Sequence, residues 1–156
     1  MKDTKVLVFD MDGTIADFYG VDGWLEAIYA RDTKPYAQAK PLVDMDVLTT
    51  LLDALKAMGW TIAVTSWLAK VTTDEYDARV RQAKIEWLQR YGFPVDVLNI
   101  VPYGTDKSEV TAKLGGVQIL FDDEEPNLKA WRNGSAVNAK NDIIRFLLML
   151  YEMEML

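Results

Sequence analysis

Short, nearly unbroken apolar runs alternate along this chain with longer stretches whose apolar residues recur at helical spacing, and that alternation leaves few folds open. Lys5 to Phe9 reads as a strand buried on both faces and stopped by Asp10. Val47 to Met58 carries Leu48, Leu51, Leu52 and Leu55 on one helical face, with Gly59 where a left-handed cap would sit. Thr61 to Val64 is expected as a second strand, closed by Thr65-Ser66. Asp74 to Tyr91 is expected as a long amphipathic helix with Tyr76, Val80, Ala83, Trp87 and Tyr91 on one side. Val97 to Val101 follows as a third strand, Ser108 to Leu114 as a short helix, and Val117 to Phe121 as a fourth strand stopped by Asp122-Asp123. Glu125 to Asn133 is expected as a helix with Gly134 past its end, Ser135 to Asn138 as a short fifth strand, and Asp142 to Glu154 as a closing helix. Strands and helices in this order predict a doubly wound α/β fold with a central, mostly parallel sheet and helices on both faces. The length of 156 residues suits one domain over 1–156.

In such a sheet, ligands bind beyond the carboxyl ends of the strands, where the connectivity changes direction. Here three strand ends carry chemistry: Asp10-Met11-Asp12-Gly13-Thr14, Thr65-Ser66 and Asp122-Asp123. Any one of these pairs alone is commonly a cap or a turn. Together they are different, because carboxylates at about 4 Å repel by ~4 kcal/mol per pair at an effective dielectric near 20, and such a cluster needs a cation. The chain has no cysteine and no histidine, which removes thiolate nucleophiles, Ser-His-Asp machinery and soft metal ligands. An all-oxygen site points to a hard ion, and Mg²⁺ is the usual one where phosphate completes the ligands. A carboxylate beside such an ion can act as an oxygen nucleophile, and a second carboxyl two residues along can do acid–base work without imidazole.

These residues resemble the haloacid dehalogenase (HAD) superfamily. Val6-Leu7-Val8-Phe9-Asp10-Met11-Asp12-Gly13-Thr14-Ile15 is similar to its first signature, an apolar strand followed by Asp-x-Asp-Gly-Thr. The resemblance implies a three-layer, Rossmann-like HAD fold and an Mg²⁺-dependent phosphatase. In it Asp10 would take the phosphoryl group as an aspartyl-phosphate, and Asp12 would protonate the leaving alkoxide and later activate water. Ile62-Ala63-Val64-Thr65-Ser66 matches the second signature, so Thr65 and Ser66 are expected to hold a phosphate oxygen. Lys107 is the best-placed lysine for the third, with Lys70 and Lys113 as alternatives. Gln118-Ile119-Leu120-Phe121-Asp122-Asp123 matches the fourth. The implied metal set is Asp10, the backbone carbonyl of Asp12, and Asp123 as a direct ligand, with Asp122 in an outer position. Asn127 falls where many relatives carry another acidic or amide residue, whereas Glu124 and Glu125 are read as solvent-facing first-turn acids.

Within this superfamily, inserts after the first or third strand cover the site and read the leaving group, which makes residues 16–41 a small cap insert. It holds Phe18, Tyr19, Trp24, Tyr29 and Tyr36, which could stack on a base or simply close the core. The first motif and Thr65-Ser66 are particularly similar to the 5′(3′)-deoxyribonucleotidase-like branch, including its phage and bacterial members. The expected partner is therefore a small phosphorylated substrate such as a (deoxy)nucleoside monophosphate. The short cap would equally suit a phosphoprotein or a nucleic-acid end. A phosphotransferase or mutase sharing the aspartyl-phosphate is an alternative, and a non-enzymatic binding module is a weaker one. A net charge of −7 with no basic tract argues against long nucleic acid. The polar lead-in Met1-Lys2-Asp3-Thr4-Lys5 and the absence of a long apolar run predict no signal peptide or membrane span and a cytoplasmic protein. The face Phe146-Leu147-Leu148-Met149-Leu150-Tyr151 could pair two copies into a homodimer, or pack on its own sheet.

Overall fold

Residues 4–156 are described by the computed structural model, and Met1 to Asp3, the head of the polar lead-in, lie outside the described residues. The apolar runs form five strands: β1 (Lys5–Phe9), β2 (Trp60–Trp67), β3 (Val97–Val101), β4 (Val117–Asp122) and β5 (Gly134–Asn138). They lie in the order β3-β2-β1-β4-β5, and every neighbouring pair is parallel. The helices are α1 (Trp24–Tyr29), α2 (Lys34–Gln38), α3 (Met45–Ala57), α4 (Asp74–Arg90), α5 (Lys107–Thr111), α6 (Glu125–Ala130) and α7 (Ile143–Glu154).

Side chains alternate across the strands, so each residue chooses a face by its parity. Leu7, Phe9, Ile62, Val64, Ile119 and Phe121 pack with Leu48, Leu52 and Leu55 of α3, Trp87 and Leu88 of α4, and Ile143 and Leu147 of α7. Val6, Val8, Ala63 and Leu120 face the other way, onto Trp131 and Leu114. The chain steps outward from β1 to β2 to β3, then crosses back to β4 and on to β5. Right-handed connections therefore send α3 and α4 to one face and α5 to the other. The direction reverses between β1 and β4, which places a crevice beyond their carboxyl ends.

Most expected bounds move by a residue or two, and the helix expected over Ser108–Leu114 is α-helical over Lys107–Thr111 and tightens to 3-10 over Ala112–Leu114; the shifts in β2 and α6 have a local reason. Strand β2 runs on through Thr65-Ser66 to Trp67, because β3 is staggered and pairs Ala63–Trp67 with Val97–Val101. The helix expected to Asn133 stops at Ala130, and Trp131 turns extended. Here the Arg132 amide donates to Ser108 Oγ at 2.9 Å, and Asn133 Nδ2 donates to the Ser108 carbonyl at 2.7 Å, replacing helical bonds while the indole enters the core. The chain then enters β5 at Gly134, where a Cβ would overlap the Gln118 carbonyl.

The aromatic-rich stretch after β1 forms a small insert pinched at its base. Ala16 and Pro41 form an antiparallel bridge, the Asp17 amide donates to the Lys40 carbonyl at 2.7 Å, and the Leu42 amide donates to the Ile15 carbonyl at 2.8 Å. Four α4 side chains hold its return path by donating to insert carbonyls: Tyr76 to Asp32, Arg79 to Arg31, Trp87 to Ala39 and Arg90 to Ala37. Phe18 and Tyr36 close a second apolar cluster with Leu68, Tyr76, Val80 and Ala83.

Helix α7 divides the face that was a candidate dimer surface. Leu147 is buried and Phe146 packs edge-on against Phe121, whereas Leu148 and Met149 are exposed. Among the described residues no helix is long and apolar enough to cross a membrane. Trp131→Ala should destabilise the protein by about 3–5 kcal/mol by emptying the smaller core face. Urea unfolding with an unchanged m-value would check this; a loss under about 1 kcal/mol would contradict the inward turn.

Candidate active site

The turn after β1 is built on one acceptor. The Met11 carbonyl receives the amides of Thr14, Ile15 and Ala16 at 3.0 Å each, which curls residues 11–16 tightly beyond the strand. Gly13 takes a φ of 84°, and a Cβ there would overlap the Asp123 carboxylate. A residue without a side chain is required on both counts.

That curl and the adjacent end of β4 bring Asp10, Asp122 and Asp123 together, each offering an oxygen within 4.8 Å of the others. Thr14 Oγ1 lies 3.0 Å from Asp10 Oδ2 and 3.1 Å from Asp123 Oδ1, although 109 residues separate Thr14 from Asp123. From α5, Lys107 Nζ donates to Asp10 Oδ1 and Asp122 Oδ2 at 2.8 Å each. Of the three lysines considered for this position, it is the one whose ammonium reaches Asp10. Burial works against its charge, but the two carboxylates outweigh burial and raise its pKa. Lys107 is 4% exposed and lies under the Trp67 ring.

The two carboxylates on β4 differ in how fully they are used. Asp122 is completely buried and accepts from Lys107, the Glu124 amide and Asn127 Nδ2. Asp123 accepts the Thr14 hydroxyl and keeps more of its oxygen surface open. Burial, then the charge of Asp10, raises the Asp122 pKa, and the same two causes push Asp123 up to about 7. Negative charge here is thus under-compensated by the protein alone. Oxygen donors with no nitrogen or sulfur, and a surplus of negative charge, fit a hard divalent cation held by Asp10 and Asp123 with Asp122 behind them.

Asp12 stands apart from this cluster. Its Oδ2 accepts from Lys84 Nζ at 3.0 Å, and 21% of its side chain is open to the neighbouring cavity. Burial raises its pKa despite the Lys84 charge. Thr65 sits one residue past the Val64 that pairs with Phe9, beside Asp10, and is fully buried with Asn99 Nδ2 3.4 Å from its hydroxyl. The Ser66 hydroxyl accepts from Lys84.

Lys84 is the site residue that the sequence reading passed over. The signal was available: residue 84 lies one helical turn from Val80 and Leu88, on the buried stripe of α4, where a lysine needs an anionic partner.

A cavity of about 460 Å³ opens over Asp10 and Asp12. Tyr19, Trp24, Leu25 and Tyr29 of the insert roof it, and Trp67, Lys70 and Tyr103 also line it. Tyr19 and Trp24 meet edge to face at 5.0 Å, and Lys70 lies over the Tyr103 ring. The insert's aromatics therefore divide: Phe18 and Tyr36 are core, while Tyr19 and Tyr29 are exposed at 48% and 66%.

No protein-family model matches the chain, and no curated protein matches it significantly. Among solved structures, a crystal structure of a candidate HAD-like phosphatase from Mesorhizobium loti is similar, with a TM-score of 0.58 and 14% identity. The match covers 99% of this chain and 88% of that chain. At that identity the likeness carries the fold: a Rossmann-like, HAD-type α/β architecture.

A carboxyl whose folded pKa exceeds its unfolded value stabilises the fold while protonated and loses that contribution as it ionises. For Asp123 the window runs from the ordinary 3.8 to about 7. The chelator-treated protein should accordingly lose thermal stability as pH rises through that window, and Asp123→Asn should flatten the loss. A wild-type Tm that holds or climbs across the same range would show that the cluster is not strained.

Proposed function

We propose that this protein is an Mg²⁺-dependent phosphomonoesterase that forms an aspartyl-phosphate on Asp10. The observation that carries the reading is the meeting of Asp10, Asp122 and Asp123 at the switch point of the sheet, with Lys107 between them and Asp12 two residues from the nucleophile. Mg²⁺ held by Asp10, the Asp12 carbonyl and Asp123 would supply the positive charge that lets two anions approach each other.

The chain's own groups divide the remaining work. Lys107 has two acceptors among the described residues, so the third donor of its ammonium is free for a phosphoryl oxygen. The Thr65 and Ser66 hydroxyls, near the end of β2, would take other phosphoryl oxygens. An Asp10 oxygen bonds to phosphorus as the bond from phosphorus to the leaving oxygen breaks, and Asp12, as a carboxylic acid, gives its proton to that oxygen. Asp12 then takes a proton from water, whose oxygen attacks phosphorus and displaces the Asp10 carboxylate. The raised pKa of Asp12 suits a group that must start protonated.

The substrate we assign is a small monoester with a flat leaving group, with a (deoxy)nucleoside monophosphate as the best fit. What supports it is a cavity of small-ligand size lined by Tyr19, Trp24 and Tyr29 of the insert together with Trp67 and Tyr103, flat rings on which a base could stack.

Asp10→Asn should abolish turnover of an aryl phosphate with the fold intact by circular dichroism, and chelation should do so reversibly. Turnover that survives Asp10→Asn would remove the nucleophile from this scheme. Trp24→Ala should raise KM for a deoxynucleoside monophosphate about tenfold, the scale of one base–aromatic stack. Steady-state assays should show little change with a small alkyl phosphate. Equal effects on both would place the base elsewhere.

A further inference from the structure

Lys84 and Lys107 are both buried lysines at this site, yet their ammonium groups are used differently. An ammonium has three donors. Lys107 spends two on carboxylates, while Lys84 spends all three: on Asp12 Oδ2 at 3.0 Å, Ser66 Oγ at 2.5 Å and the Trp67 carbonyl at 2.9 Å. The Tyr36 ring covers it, with Nζ 5.1 Å from the ring centre, and the residue is 1% exposed. A saturated, covered ammonium has nothing left to offer a substrate phosphate.

We propose that Lys84 is a positioning residue, one that aims the Asp12 carboxyl at the leaving-group oxygen. Asp12 Oδ2 is held by Lys84, which leaves Oδ1 for the cavity side, where the side chain is open. The Trp67 carbonyl fixes the ammonium to the end of β2, so the aim of Asp12 is set by the sheet and α4 as well as by its own turn. Tyr36 reaches Lys84 from the insert, so the insert packs directly on the residue that holds Asp12. The inference rests on the phosphatase reading above, in which Asp12 delivers the proton.

Protonation by Asp12 matters for a poor leaving group and little for a good one, and kcat/KM reports the steps up to cleavage of the phosphorus–oxygen bond. The test compares p-nitrophenyl phosphate with 2-phenylethyl phosphate, at saturating Mg²⁺, in wild type, Lys84→Met, Asp12→Asn and the double variant. Lys84→Met should keep the aryl rate within about threefold and lose about a hundredfold on the alkyl ester, the lower end of what a general acid contributes. In the Asp12→Asn background Lys84→Met should add no further loss on the alkyl ester. The double variant buries no unpaired charge, so it keeps the comparison available if Lys84→Met alone does not fold. Equal losses on both esters, no loss on either, or a further loss in the double variant would each overturn the positioning role. A wild type inactive on both esters would instead overturn the phosphatase reading beneath it.

Discussion

Negative charge collected at one edge of a sheet must be compensated from inside the fold, and two buried lysines do that here. Lys107 comes from α5 on one side of the sheet and pairs with Asp10 and Asp122; Lys84 comes from α4 on the other side and pairs with Asp12. Each pairing takes an ammonium out of water, which is unfavourable unless its acceptors are close and well aimed. Both ammoniums meet carboxylates at 3.0 Å or less. The consequence is a separation of environments: Asp10 and Asp12 are two residues apart in sequence, yet each answers to its own cation. Carboxyls in distinct surroundings can take distinct chemical parts, one as nucleophile and one as acid.

The backbone makes this separation possible. Parallel pairing puts the ends of β1 and β4 side by side, with Phe9 in register with Phe121, so the next residue on each strand is an aspartate. The Met11 carbonyl then gathers three amides and bends the chain back, so Asp12 leaves the line of the strand while Thr14 returns to bridge Asp10 and Asp123. Gly13 lets the bend pass against the Asp123 carboxylate. The acidic cluster is therefore a product of strand order and one tight turn, without any long loop.

Much of this architecture was legible in the sequence because its signals are local. Continuous apolar runs mark strands buried on both faces, and the runs at Lys5–Phe9 and Val97–Val101 match the observed strands end for end. Boundaries failed where a neighbour decided them. β2 is longer than its apolar core because β3 supplies partners for Thr65 and Ser66, and α6 is shorter because Ser108 and Thr111 offer Arg132 and Asn133 better bonds than another helical turn. Lys84 was missed because a helical stripe was read for its apolar members, and a charged residue on that stripe acquires meaning once Asp12 is known to lie opposite. The insert's aromatics could not be sorted in advance: Phe18 and Tyr36 differ from Tyr19 and Tyr29 in what covers them, which composition does not record.

Helix α1 contributes no buried side chain, although it forms much of the roof over the cavity. Its neighbours on either side are tied down, by the bridge at Ala16 and Pro41 and by the carbonyls that α4 grips. Trp24 and Ile28 lean on the second apolar cluster, whereas mutations at the exposed Leu25 and Tyr29 can reshape the entrance while leaving the foundation of the molecule untouched. Over evolutionary time, new preferences could be tried at those two positions with little risk of unfolding, because the side chains that choose and the side chains that endure are different ones.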